Sequence, residues 1–179
     1  MAMFCKKFFF ISWITSLTII TFPVLAQKSY VGLGYVHSKL DIANEITNPS
    51  MAALRVGTNL TKNIAIEGQY LTSVASDNIN ATDLELNQSF GAYLVLQSET
   101  KNGFKLDLAL GYAQTSLTAI STETNYFNKD EFSGLSWGVN LYQSISYLDQ
   151  AQLRLSYQSL YKDNHIEISG IELGFIYSF

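Results

Sequence analysis

The chain has only two histidines that could act as general bases: His37, with Ser38 beside it, and His165. Hydrolysis or acyl transfer needs a nucleophile held against such a base. Neighbours on a strand point to opposite faces, so His37 and Ser38 cannot form that pair by themselves. A wider constellation of His37 with Ser76 and Asp77 requires two separate segments to meet. A metal centre has no better footing, because the single cysteine, Cys5, lies near the start, the histidines are far apart and the acids are dispersed. Asp41, Asp77, Asp83, Asp130 and Glu131 could hold Ca²⁺ weakly at a surface, though solvated loop charge is the favoured reading. Gly32-Leu33-Gly34 lies within a strand pattern and opens no helix, so it is not a phosphate loop. No cofactor or metal is expected.

The segments that would carry these residues alternate with the period of strands. Val31, Leu33 and Tyr35 oppose Gly32, Gly34 and Val36. Leu54, Val56 and Leu60 oppose Ala53, Arg55 and Gly57, and Ile64, Ile66 and Tyr70 oppose Ala65, Glu67 and Gln69. The parity continues through Leu84, Leu86, Phe90, Ala92, Leu94 and Leu96, then Phe104 to Tyr112, Leu135 to Tyr147, Leu153 to Tyr161, and Leu173 to Phe179. Tight turns are expected at 61–63, 100–103 and 148–150, and longer polar connections at 41–50, 72–83, 114–131 and 162–165. This amounts to about eight strands in an up-and-down meander. Ile166 and Ile168 run out of phase with Ile171 and Leu173, which calls for a bulge near Gly170 or for residues 166–169 to stand clear of any face.

The charges settle which side of this sheet is wet. Arg55, Glu67, Glu85, Lys105, Asp107, Arg154 and Glu172 all fall on the parity opposite to the apolar face. A soluble sandwich or barrel would turn its apolar face inward and its charges out. Here the apolar face must find other surroundings, and lipid supplies them, since a cation turned toward mid-bilayer costs about 2–4 kcal/mol. Hairpin geometry sets Arg55 opposite Glu67 and Arg154 opposite Glu172, with a slip of two residues allowed. Such charges either line a narrow water path or plug an interior too narrow to conduct, and eight strands favour the plug. Aromatics fall near both expected boundaries: Phe104, Tyr147, Tyr177 and Phe179 at one, Tyr70, Tyr112, Trp137 and Tyr161 at the other.

The terminal segment, Glu172 to Phe179, carries Gly174, Tyr177 and a final Phe179. It resembles the terminal signal of bacterial outer-membrane β-barrels. Residues 57–70 are similar to the strand-turn-strand of the small barrels related to outer-membrane protein A. The resemblance implies a closed all-β antiparallel transmembrane barrel in the outer membrane of a Gram-negative cell, with the terminal segment read by the barrel-assembly machinery. It also implies contact with outer-membrane lipid and lipopolysaccharide, a monomer, and surface loops that serve adhesion, resistance or membrane integrity toward a host or surface ligand. The alternatives are a lipid-modifying enzyme or a narrow porin-like pore. The surroundings of His37, Ser76 and Asp77 do not match the outer-membrane palmitoyl transferases.

Lys6 and Lys7, an apolar run to Val24 and small residues at Val24 and Ala26 form a secretory signal peptide over 1–26. The run falls short of the ~20 uninterrupted apolar residues of a membrane span. The barrel domain is then 27–179. It has no cysteine, and loss of Lys6 and Lys7 makes the formal charge of −4 still more negative. That balance argues against nucleic acid as a partner.

Overall fold

The computed structural model describes residues 28–42, 45–79, 82–121 and 126–179. The expected leader at 1–26 lies outside these residues. So do 43–44, 80–81 and 122–125, within the first three expected outer connections.

Eight long strands form the wall: β1 (Ser29–Ile42), β3 (Ser50–Asn59), β4 (Ile64–Ala75), β6 (Thr82–Gln97), β7 (Phe104–Ser121), β8 (Tyr126–Ile145), β9 (Leu148–Lys162) and β10 (Ile166–Ser178). Each pairs antiparallel with the next, and β10 pairs with β1 from Tyr30↔Ser178 to Ile42↔Ile166, which closes the barrel. Two short strands lie in the outer connections. β2 (Glu45–Thr47) pairs with β1, and β5 (Asp77–Ile79) pairs with β6. Among the described residues no helix is long and apolar enough to cross a membrane.

The connections at the terminal end of the barrel are tight. Asn102 and Gly103 have φ of 52° and 81°. Lys101 and Phe104 exchange both backbone hydrogen bonds at 2.9 Å around them. An Asn-Gly pair suits this two-residue hairpin because both central positions need positive φ. The last tight turn is at Ser146 and Tyr147 rather than at 148–150, since Ile145 pairs with Leu148 and residues 148–150 already belong to β9. Gln150 looks like a turn residue because it is polar, yet it sits at the rim and accepts the Tyr177 hydroxyl.

At the opposite end the polar segments are largely strand. The expected loop 114–131 is the outer part of a hairpin, with β7 and β8 paired up to Ser121↔Tyr126. Serine and threonine look like loop residues, but out of the membrane a strand is free to be polar on both faces. The β8–β9 ladder stops at Trp137↔Ser159. Beyond it β6, β7 and β8 continue as a sheet, with the short β5 on the other side of β6. The 126–136 edge of β8 has no strand partner on its outer side among the described residues.

Three register breaks lie near the outer end, at Val74 on β4, Asn87 on β6 and Leu160 on β9. The bulge at Asn87 reverses the parity of β6 above it, so Leu86, expected to face lipid, is fully buried inside. β10 itself carries no bulge at Gly170, for its register with β1 is unbroken. Ile168 points inward with Gly170 and Glu172, and the irregularity belongs to Leu160 on the neighbouring strand. Tyr161, expected in the outer aromatic belt, packs on Phe132 at 5.5 Å over the outer mouth.

The β9–β10 connection is held by Asp163, whose Oδ1 accepts the backbone N–H of His165 at 2.8 Å and of Ile166 at 2.7 Å. These bonds favour the carboxylate and hold its pKa below the ordinary aspartate value. The order they confer is therefore complete above the unfolded-state pKa of about 3.9 and is lost as pH falls through the lower folded value. Amide exchange at His165 and Ile166 should stay slow until the medium is more acidic than that. Asp163→Asn should retain the turn and abolish its pH dependence.

Candidate functional site in the barrel interior

Strand alternation delivers one face of every strand to a lumen only side-chains wide, and three layers fill it. At the terminal end Tyr30, Ala65, Tyr93, Val95, Tyr142 and Ile176 pack together. At the outer end Leu40, Met51, Leu71, Leu86, Leu160 and Ile168 form a second apolar layer, with Phe132 and Tyr161 against it. Between them lies a network of charge.

Arg55 is the hub, only 2% exposed. Its Nε donates to both oxygens of Glu172 at 3.1 Å, and its Nη2 also reaches Glu172 Oε2. Nη1 donates to Glu67 Oε1 at 2.7 Å, and Nη2 to Gln158 Oε1 at 3.0 Å. The fork of the guanidinium is thus filled by two carboxylates and an amide. Arg154 donates from Nη1 to Glu67 Oε2 at 3.1 Å and from Nη2 to Asn140 Oδ1 at 2.7 Å. Tyr30 donates its hydroxyl to Glu67 Oε2 at 2.8 Å. Gln69 and Gln158 exchange amide bonds at 2.9 and 2.6 Å, and Gln158 Nε2 also reaches the Tyr93 hydroxyl at 2.6 Å. Close approach requires glycine beside this hub, for a Cβ at Gly34 would lie 2.6 Å from Glu172 Oε1.

The expected strand-to-strand pairings shift by two residues. Arg55 faces Gln69 and Arg154 faces Gly174 in the ladders, so Arg55 meets Glu67 diagonally and Glu172 across the β1 seam. Arg154 takes Glu67 rather than Glu172. The physical reason is length: an arginine reaches past its directly opposed neighbour, while register is set by the apolar face. Lys105 and Asp107 form a separate pair at 2.8 Å near the terminal mouth, with Lys105 Nζ 4.4 Å above the Tyr142 ring. Glu85 is not in the network. The bulge at Asn87 turns Leu86 inward in its place. Sequence reasoning missed Tyr30 and Tyr142 as members of this interior; their parity alone could have placed them there.

The adjacent candidates His37 and Ser38 are turned to opposite sides of the wall. His37 is exposed on the outer wall and Ser38 is buried inside. The Asp77 carboxylate accepts the backbone N–H of Asn48 at 2.8 Å, tying two outer connections together. Among the described residues no group of three or more His, Cys, Asp or Glu could hold a metal, and the Asp83 side chain lies outside them.

Residues 14–179 match the family model described as outer membrane protein beta-barrel domain. No curated sequence matches the chain. Among solved structures, Ail of Yersinia pestis in complex with the heparin analogue sucrose octasulfate is similar with a TM-score of 0.62 at 15% identity, covering 86% of this chain and 99% of that one. Neisserial surface protein A gives 0.64 at 15% identity, over 84% and 97%. The N-terminal β-barrel domain of Pseudomonas aeruginosa OprF gives 0.60 at 12% identity, over 86% and 99%. At these identities the likeness concerns the fold.

Removing Arg55 leaves Glu67 short of one partner and Glu172 of its own where both are buried. Arg55→Met should destabilise the refolded barrel by about 3–5 kcal/mol in urea titration, as for other broken buried pairs. Arg55→Met with Glu172→Gln should recover a large part of that loss. With three filled layers, the protein in a planar bilayer should give no resolvable ion current. Steady single-channel steps from the pure protein would show that the interior conducts.

Proposed function

The chain belongs to the family of outer membrane protein beta-barrel domains, and from that premise we propose that it is a sealed, non-enzymatic barrel that presents a β-sheet at the cell surface for a protein ligand. The observation that carries this reading is the stretch of β8 at 126–136 beyond the end of its ladder with β9, raised on the continued β6–β7–β8 ladders. At roughly 3.3 Å per residue this stretch is on the order of 35 Å of strand. An unpaired edge offers alternating N–H and C=O groups to an extended segment of a partner.

Charge narrows the partner. The outer lysines Lys39, Lys129 and Lys162 each lie near a carboxylate, at 3.6 Å from Asp41, 3.8 Å from Glu131 and 2.7 Å from Glu167. Glu45 and Asp163 add further negative charge. A sulfated polyanion of the kind bound to Ail finds no free basic patch among these residues, and a neutral or basic protein segment suits the surface better.

The same reading covers biogenesis. Residues 1–26 are the leader removed on export. β10, with Gly174, Tyr177 and Phe179, is the segment offered to the barrel-assembly machinery, and it is also the strand that pairs with β1 to close the wall. A wall complete within one chain supports a monomer in lipid.

Replacing residues 116–131 by Asn-Gly joins Thr115 to its ladder partner Phe132. The variant should still show a heat-modifiable folded band on a gel, while binding to host-cell or matrix proteins should fall by at least about tenfold, about 1.4 kcal/mol. Undiminished binding by a folded variant would sink the proposal.

A further inference from the structure

One row of the lipid-facing wall has two small side chains side by side. Val56, Gly68, Ala92 and Tyr112 are successive partners across β3, β4, β6 and β7, and all face outward. The row above them contains Tyr70 and Phe90, whose rings pack at 4.9 Å. The row below contains Ile66 and Leu94. Between these rows Gly68 contributes no side chain and Ala92 only a methyl. The result is a hollow of about 480 Å³, floored by Gly68 and Ala92, walled by Val56 and Tyr112 and roofed by Tyr70 and Phe90.

Protein packing does not explain Gly68. A Cβ at the inward Gly32, Gly34, Gly57 or Gly91 would come within 3 Å of another atom. A Cβ at Gly68 would meet only Val56, at 3.6 Å, which is ordinary contact. A glycine inside a strand weakens it and marks a bulge, a bend or a close approach, and β4 runs through Gly68 with no register break on either side.

Position determines what approaches. The hollow lies one step below the row of Tyr70 and Phe90, within a continuous belt of exposed apolar residues that includes Leu54, Leu94 and Leu110. Just above it the Tyr112 hydroxyl donates to Ser133 at 3.2 Å and Gln114 donates to the Glu131 carboxylate at 3.0 Å, so the polar boundary begins there. The hollow therefore belongs to the outer-leaflet half of the wall. We propose that it seats one acyl chain of the outer-leaflet glycolipid, the lipid A part of lipopolysaccharide. In hydrocarbon there is no hydrophobic drive for one apolar contact over another, so shape and dispersion decide. A chain lying over Gly68 gains contacts that a void would forfeit.

The test is native mass spectrometry of the full barrel, refolded in detergent with equal amounts of lipopolysaccharide and phosphatidylethanolamine and then stripped stepwise. The wild type should retain a single lipopolysaccharide molecule after other lipid has left. Gly68→Leu, and separately Ala92→Phe, should weaken that retention by about tenfold, whereas Leu155→Phe on the opposite wall should not. Having two filling variants guards against one failing to fold, and the unboiled gel band reports folding for each. Equal retention of phosphatidylethanolamine, unchanged retention in the folded filling variants, or a wild-type dimer that Gly68→Leu dissolves would each overturn the proposal. The last outcome would assign the hollow to a second copy of the chain.

Discussion

Everything in this barrel follows from one constraint: in hydrocarbon no backbone N–H or C=O can be left to water. A strand crossing the membrane must be paired on both sides, and a sheet of such strands must close. The β1–β10 ladder, running without a break from Tyr30↔Ser178 to Ile42↔Ile166, meets that demand. Closure at eight strands then fixes a lumen that side chains fill. Each inward residue must fit its neighbours, and each inward charge must find its counter-charge within reach.

The centre of the lumen shows how that second demand is met. Two arginines and two glutamates share one site, so the net charge there cancels. Neutral amides and phenols from Gln69, Gln158, Asn140, Tyr30 and Tyr93 take up further hydrogen-bonding positions. Such a network gives little net stability compared with a packed apolar core, since two desolvated charges gain back roughly what they lose. It does penalise a slipped register severely, because any shift would strand a buried charge. An apolar layer made of Leu40, Met51, Leu71, Leu86, Leu160 and Ile168 lies above it, toward the outer mouth.

In the reading proposed above, partners are met on the outside of the molecule, at two surfaces. One is the raised sheet of β6, β7 and β8, whose edge offers backbone hydrogen bonds. The other is the hollow at Gly68 and Ala92, which offers only shape. Water surrounds the first and lipid the second, so a partner gains by pairing at one and by filling at the other.

The sequence by itself determined the architecture. Strand parity, the absence of charge from the outward face and the polar residues opposite are properties of single strands, and a two-residue period shows them without any neighbour in view. It likewise put Arg55, Glu67, Lys105, Asp107, Arg154 and Glu172 on the inward parity. What only the tertiary structure decided is which of these meet, because an arginine reaches across a lumen to strands far away in the chain, as Arg55 reaches Glu172 across the β1 seam. The bulge at Asn87, which exchanges Glu85 for Leu86 inside, was equally illegible: one extra residue reverses parity without leaving a compositional mark. The polar segment 114–131 looked like loop for a related reason. Above the membrane neither face of a strand is bound to be apolar, so the pattern that identifies strands elsewhere is absent, and only the ladder between β7 and β8 shows that the chain is still a sheet.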